Sequence, residues 1–187
     1  TEPGVILKDI QNLVENESLF YPLDPASLSF CTIGGTIAEN AGGARALKYG
    51  VTKDYVIGLK GIWANGEEFN LGGKQIKNVA GYDLIHLLVG SEGTLGLITE
   101  ITLKLIPKPT FVMEAMASFS HPKLAAEVLV KIKQLGVQPS TAEYMTEFCV
   151  NSSIQFLNID MTFNEAKAYI IWQVDGNTSD SVKKQLK

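Results

Sequence analysis

An α+β fold in two parts is predicted by three observations. Fourteen of the 17 glycines lie between Gly34 and Gly96, so that stretch needs tight turns or close backbone approach. Pro107-Lys108-Pro109 breaks the chain. After it, strand and helix signals alternate to the end while glycine density falls.

The elements follow in order. Val5 to Leu7 reads as a short strand, and Lys8 to Asn16 as a helix through Ile10, Leu13 and Val14. Tyr21-Pro22-Leu23-Asp24-Pro25 is extended, because each proline disfavours helix in its predecessor. Ile33 to Gly50 is rich in Gly, Ala and Asn, with a short helix around Thr36 to Glu39. Val56 to Trp63 is a strand, Asn65-Gly66 a hairpin turn, and Glu67 to Leu71 the return. Tyr82 to Val89 is a short helix with Leu84, Leu87 and Leu88 inward. Gly96 to Ile106 is a long strand, in which Ile101, Leu103 and Leu105 alternate with polar residues. Beyond the break come a strand over Phe111 to Phe119 and a helix over Pro122 to Leu135. That helix sets Leu124, Val128, Leu129 and Ile132 on one face and stops at Gly136. A strand at Ala142 to Met145, a helix at Glu147 to Leu157, a strand at Ala168 to Val174 and a helix from Ser179 complete the chain. Both ends read as cut ends of a longer polypeptide.

Composition narrows the function classes. The 187 residues carry 16 Lys+Arg against 20 Asp+Glu, and no basic block, which argues against nucleic acid as a partner. A hydrophobic content of 45% with 19% charged residues is that of a folded chain. Two histidines and two cysteines leave no basis for a zinc site or a disulfide framework within these residues. No run approaches the roughly 20 apolar residues of a membrane helix.

Two segments carry chemistry. Cys31-Thr32-Ile33-Gly34-Gly35-Thr36-Ile37-Ala38-Glu39-Asn40-Ala41-Gly42-Gly43 can lay N–H groups against a phosphate or the edge of a flat ring. It has neither G-x-G-x-x-G spacing nor a Walker Gly-Lys-Ser/Thr. The alternative is a crowded packing crossing. Gly90-Ser91-Glu92-Gly93-Thr94-Leu95-Gly96, preceded by Lys77 to Leu84, again exposes backbone donors as it enters a strand, and its alternative is a polar turn. His86 reads as a helix-face histidine, His121 as a near-cap residue and Lys77 as a solvated loop lysine, with an approach to a bound ring or an anionic substrate as its other reading. Asp83 and Glu92 read as turn caps, and Cys31 as a small packing residue.

Taken together, the segments resemble a known family. Tyr21 to Ser27, Ile33-Gly34-Gly35, Glu39 to Gly43, Lys48-Tyr49-Gly50, Gly81 to Leu84 and Gly90 to Gly96 stand in the order found in FAD-linked oxidases of the vanillyl-alcohol oxidase/p-cresol methylhydroxylase class. Within that class the chain is most similar to the group of bacterial glycolate oxidase D subunits and D-2-hydroxyacid dehydrogenases. The resemblance implies FAD as cofactor and assigns the fold as the second subdomain of a PCMH-type FAD-binding domain (residues 1–109), with its P-loop upstream. Residues 110–187 would then start a ferredoxin-like cap domain, with the substrate and metal residues downstream. It places Pro25, Ser27, Thr32, Ile33, Gly34, Gly35, Glu39, Asn40, Ala41, Gly42, Gly43 and Gly50 on the pyrophosphate and flavin side. Glu92, Gly93, Gly96, Leu97 and Ile98 meet the cofactor from the other side, with Ile33, Leu97 and Ile98 as apolar walls. It assigns no catalytic residue to this chain. The activity it implies is oxidation of a small 2-hydroxy acid, glycolate or D-lactate, with electrons passing to partner subunits that include an iron–sulfur subunit. The location it implies is cytoplasmic, or peripheral at the inner face of the membrane. The alternative is a flavoprotein-like binding or interaction module without chemistry.

Overall fold

The computed structural model describes residues 1–75, 77–160 and 166–186. They form two compact units, Thr1–Lys108 and Pro109–Lys187.

In the first unit the expected strand at Val5 to Leu7 shrinks to a single bridge between Ile6 and Thr32. Helix α1 (Leu7–Glu15) begins at once. Its buried stripe is Leu7, Ile10, Gln11 and Val14, the i, i+3, i+4, i+7 set of an amphipathic helix. Leu13 falls off that stripe and stays 65% exposed, contrary to the sequence reading. The buried polar member has a purpose. The amide nitrogen of Gln11 donates to the carbonyls of Tyr21 (2.9 Å) and Leu23 (2.6 Å). The proline-bearing Tyr21–Leu23 segment lies outside every strand, so these bonds satisfy carbonyls that no ladder reaches.

Strands β1 (Leu19–Phe20), β2 (Val56–Trp63), β3 (Glu68–Gly72), β4 (Gly96–Leu103) and β5 (Ile106–Pro107) and helices α2 (Ile33–Ala38), α3 (Ala46–Tyr49) and α4 (Leu84–Leu88) complete the unit. The order β3-β2-β4 forms an antiparallel sheet joined by the Asn65-Gly66 hairpin, with Gly66 at φ +89°. The β2–β4 register slips by one residue: Lys60 faces Glu100 and Gly61 faces Ile98, leaving Thr99 as a bulge. The long strand expected to Ile106 is cut at Leu103. Lys104 N–H turns to the Tyr55 carbonyl (2.7 Å), and the chain pairs again as β5 against β1. Pro107 sits on that short pair, where its missing donor costs no central ladder bond. In α4, Leu88 is buried but Leu87 points outward at 57% exposure; Ile85 takes the inward place expected of Leu87.

The core gathers Leu7, Tyr21, Ile33, Ile37, Leu59, Leu88 and Ile101. Tyr21 meets Tyr55 edge to face at 5.8 Å. Its hydroxyl is buried without a hydrogen-bond partner among the described residues. Burial, and secondarily Tyr55, hold that phenol in its neutral form by pushing its pKa up.

In the second unit, β6 (Phe111–Phe119), β7 (Thr141–Thr146) and β8 (Ala168–Gly176) form a sheet of order β6-β8-β7 with antiparallel neighbours. Strands β6 and β7 are therefore parallel, joined through α5 (Pro122–Gln134) with β8 between them. This is the split β-α-β of a ferredoxin-like order. Helix α6 (Glu147–Leu157) is inserted between β7 and β8, and α7 (Ser179–Leu186) packs on β6 and β8. Helix α5 turns Ala125, Val128, Leu129 and Ile132 inward, whereas Leu124 is 45% exposed. A small residue, Ala125, takes the inward place expected of Leu124 and packs with Ala168 and Ile170. His121 caps α5, its Nδ1 accepting from Lys123 N–H at 3.2 Å, as the sequence indicates.

Two substitutions test the polar accounting of the first core. Gln11→Ala leaves two buried carbonyls without a donor and is expected to cost about 2–5 kcal/mol in urea denaturation. Tyr21→Phe removes a hydroxyl that makes no bond and is expected to stay within about 1 kcal/mol of the wild type.

Candidate functional site

The glycine-rich segment takes its shape from a short capped helix. Thr32 is extended, and its Oγ1 accepts the Gly35 N–H at 3.1 Å, so α2 begins at Ile33, three residues before the expected start. Asn40 ends the helix in the left-handed region at φ +47°. Ala41 N–H then returns to the Thr36 carbonyl at 2.8 Å, while the Ala41 carbonyl accepts both the N–H (3.0 Å) and the hydroxyl (2.8 Å) of Thr52. Thr52 lies in a 3-10 turn, Thr52–Asp54, and is wholly buried.

The second segment docks on the end of that helix. Gly90 N–H donates to the Ile37 carbonyl (2.8 Å) and Glu92 N–H to the Ala38 carbonyl (3.0 Å). Glu92 and Gly93 both turn through positive φ, at +52° and +73°. Thr94 closes the turn on the Ser91 carbonyl with its N–H and its hydroxyl. Residues widely separated in sequence thus become direct hydrogen-bond partners.

The candidate residues separate by what their side chains or hydrogens face. Ile33 is wholly buried in the core and its N–H donates to Val5, so the expected apolar wall there is core packing instead. A Cβ on Gly34 would stand 2.7 Å from Pro3 Cβ, and one on Gly43 would enter the backbone of Asp24. Gly50, at φ +81°, turns over the Asp54 carboxylate, and Gly96 lies against the Ile62 carbonyl. Internal packing accounts for these four glycines. Gly42, where a Cβ would stand 3.1 Å from Val51 Cγ1, is intermediate.

Gly35 and Gly93 differ. Both are exposed; the nearest atom to a Cβ on Gly35 is its own cap oxygen at 3.3 Å, and a Cβ on Gly93 meets nothing within 4 Å. Glu39 and Leu97 are exposed, and Pro25, Ser27, Thr32, Asn40, Ala41 and Ile98 are half-buried. Leu97 leaves 66% of its surface free, while Ile98 packs partly into the core.

Below this surface Asp24 braces the Gly43 corner. Its Oδ1 accepts Arg45 N–H at 3.0 Å, and its Oδ2 lies 3.6 Å from Arg45 Nε. Burial raises its pKa, and the Arg45 N–H and guanidinium oppose that rise. Asp83 caps α4 by accepting His86 N–H at 3.1 Å, in keeping with the turn-cap reading. A cavity of about 590 Å³ lies between β2, β3 and the Asn78–His86 stretch, away from the residues assigned to the cofactor. His86 is more than the helix-face residue expected: both ring nitrogens have partners, Asp83 and the Lys53 carbonyl. The signal available in sequence was its i, i+3 spacing from Asp83. Among the described residues no cluster of three His, Cys, Asp or Glu could hold a metal ion, and no helix is long and apolar enough to cross a membrane.

Comparison with known proteins meets this geometry. Residues 1–72 match the FAD binding domain family. Glycolate oxidase subunit GlcD of Bacillus subtilis is 45% identical over 175 residues, covering 94% of this chain and 37% of that protein. D-lactate dehydrogenase of Anaerostipes hadrus is 35% identical over 187 residues, covering 97% of this chain and 39% of its own length. A solved structure of alkyldihydroxyacetonephosphate synthase superposes on 99% of this chain and 36% of its own with a TM-score of 0.78 at 23% identity, which establishes the α+β fold. Residues 1–72 therefore carry the sequence of an FAD binding domain, with FAD as the cofactor. It spans little more than a third of the length of the curated relatives it matches.

The sorting of glycines has a direct consequence for stability. Gly43→Ala forces the Asp24–Arg45 corner apart and is expected to cost several kcal/mol, on the order of an overpacked core. Gly35→Ala, in a helix where only the Thr32 hydroxyl must yield slightly and alanine is the better helix former, is expected to change stability by less than about 1 kcal/mol. Thermal melts of the two variants decide.

Proposed function

We propose that this chain is part of an FAD-dependent oxidoreductase that oxidises a small 2-hydroxy acid. The observation that carries the reading is the docking of Gly90 and Glu92 on the Ile37 and Ala38 carbonyls, which unites two glycine-bearing segments into one surface. That surface fits the cofactor: Gly35 and Gly93 leave room at the backbone, small residues and half-buried polar side chains flank them, and Leu97 offers an apolar edge. Thr32, Gly35, Glu39, Asn40, Ala41 and Gly42 would hold one side and Glu92, Gly93, Leu97 and Ile98 the other. Gly34, Gly43, Gly50 and Gly96 would keep the two backbones in place. FAD, when bound, supplies the two-electron acceptor for oxidation of a hydroxyl-bearing carbon. What these residues do is position, exclude water and fix the turns.

The relatives' names support the substrate class, since glycolate and D-lactate are both small 2-hydroxy acids. We assign the second unit to a partial cap or substrate domain on its split β-α-β order. Because the Bacillus relative is named a subunit, we extend the reading to electron transfer onward to a partner subunit bearing iron–sulfur clusters. Such an assembly would sit in the cytoplasm or at the inner membrane face.

The test uses the full-length polypeptide. It is expected to purify with a flavin absorption band and to reduce a dye when given glycolate or D-lactate. Gly35→Val is expected to weaken FAD binding tenfold or more while leaving the circular dichroism spectrum unchanged. A colourless protein without affinity for FAD would sink the proposal. A flavin that no 2-hydroxy acid reduces would favour a binding module without chemistry.

A further inference from the structure

His86 lies outside the surface just described, yet its ring is fully committed. Nδ1 stands 2.5 Å from Asp83 Oδ2, and Nε2 stands 2.9 Å from the Lys53 carbonyl oxygen. A carboxylate and a backbone carbonyl can only accept. Satisfying both therefore requires a hydrogen on each ring nitrogen, and only the imidazolium has two. A neutral ring in either tautomer leaves one of the two contacts without a proton.

The Lys53 residue transmits this contact. Its carbonyl is held by His86, and its N–H donates to Asn40 Oδ1 at 3.0 Å. Asn40 is the left-handed residue at the end of α2, a conformation that a non-glycine residue keeps only with local support. The neighbouring Thr52 holds the Ala41 carbonyl twice. The 3-10 turn Thr52–Asp54 is thus a bridge with His86 on one side and Asn40-Ala41 on the other.

We propose that His86 is a positioning residue for the Glu39–Gly43 segment: as an imidazolium it pins Lys53, and Lys53 pins Asn40. The role in cofactor binding rests on the FAD reading of that segment; the mechanical link does not. The charged groups facing the ring are Asp83 and Lys53. Partial burial pulls the His86 pKa down, but the hydrogen bonds it donates to Asp83 and to the Lys53 carbonyl, together with the Asp83 charge, outweigh that and the Lys53 charge and raise it. The Asp83 pKa is lowered, first by the His86 N–H. For a raised histidine the stabilisation is complete below the unfolded value of about 6.5 and disappears as pH climbs through the folded value. For a lowered Asp83 it is present above the unfolded carboxylate value and lost as pH falls through the folded one. The clasp is therefore closed below the unfolded histidine value and opens on the alkaline side of the folded one.

The experiment compares full-length wild type, His86→Gln and Asp83→Asn by amide hydrogen exchange without added FAD, corrected for intrinsic rates, and by FAD affinity across pH. In His86→Gln, exchange is expected to rise at residues 39–43 and 52–54 as well as near residue 86. The wild type is expected to show the same rise on the alkaline side. FAD affinity is expected to be roughly fivefold weaker in His86→Gln below the unfolded histidine value, the upper range for an exposed ion pair. The alkaline loss seen in wild type should be absent from His86→Gln and shifted to lower pH in Asp83→Asn. Exchange that rises only near residue 86 overturns the link. Altered exchange with FAD affinity equal to wild type at every pH overturns the positioning role. A wild type without FAD affinity overturns the cofactor reading instead, while exchange still reports whether the link exists.

Discussion

The carbonyl end of α2 is the constraint on which the first unit's functional surface depends. A helix of six residues satisfies few of its own carbonyls, and each one left over must find a donor elsewhere. Gly35 is answered by Glu39, Thr36 by Ala41, Ile37 by Gly90 and Ala38 by Glu92. The last two donors arrive from a loop some fifty residues downstream. The Ile37 carbonyl also accepts the Asn40 N–H at 3.2 Å, so it is loss of the Glu92 donor that would leave an acceptor, the half-buried Ala38 carbonyl, unpaired, at a cost comparable to a cap. The shortness of the helix is therefore what draws the two glycine-bearing segments together.

Much of the fold was legible because it rests on local chemistry. Asn65-Gly66 specifies a tight hairpin by its backbone preferences alone, and Thr146 and His121 cap helices by their own side chains. What the sequence concealed depends on partners distant along the chain. Leu13, Leu87 and Leu124 are apolar and helically spaced, yet each faces outward. In each case a neighbour one residue or two away, Gln11, Ile85 or Ala125, fits the space that the rest of the unit leaves. Gln11 is the clearest instance: nothing in its own neighbourhood announces that two proline-flanked carbonyls ten and twelve residues on require its amide. The end of β4 at Leu103 was equally hidden, since an alternating pattern runs past the point where Tyr55 captures Lys104.

The candidate site shows the same division. Glycine density marks the right stretch, but density does not say why each glycine is there. Gly43 is fixed by the Asp24 backbone and Gly50 by Asp54, contacts invisible in a one-dimensional reading. Ile33 sits inside a motif of small residues and looks available to a ligand, yet the helix it starts turns it into the core.

This division bears on how such a surface is held. Gly35 and Gly93 face outward, whereas a side chain on Gly34, Gly43, Gly50 or Gly96 would run into the fold itself. Shape at the surface is therefore set from beneath, by Asp24 through Arg45, by Thr52 through Ala41 and by His86 through Lys53 and Asn40. The Thr52 support uses neutral groups only, and that one is indifferent to pH. The third uses an imidazole between two obligate acceptors and is not. A surface braced in this way couples the left-handed turn at Asn40 to an imidazole, while its glycine-to-backbone contacts contain no titratable group.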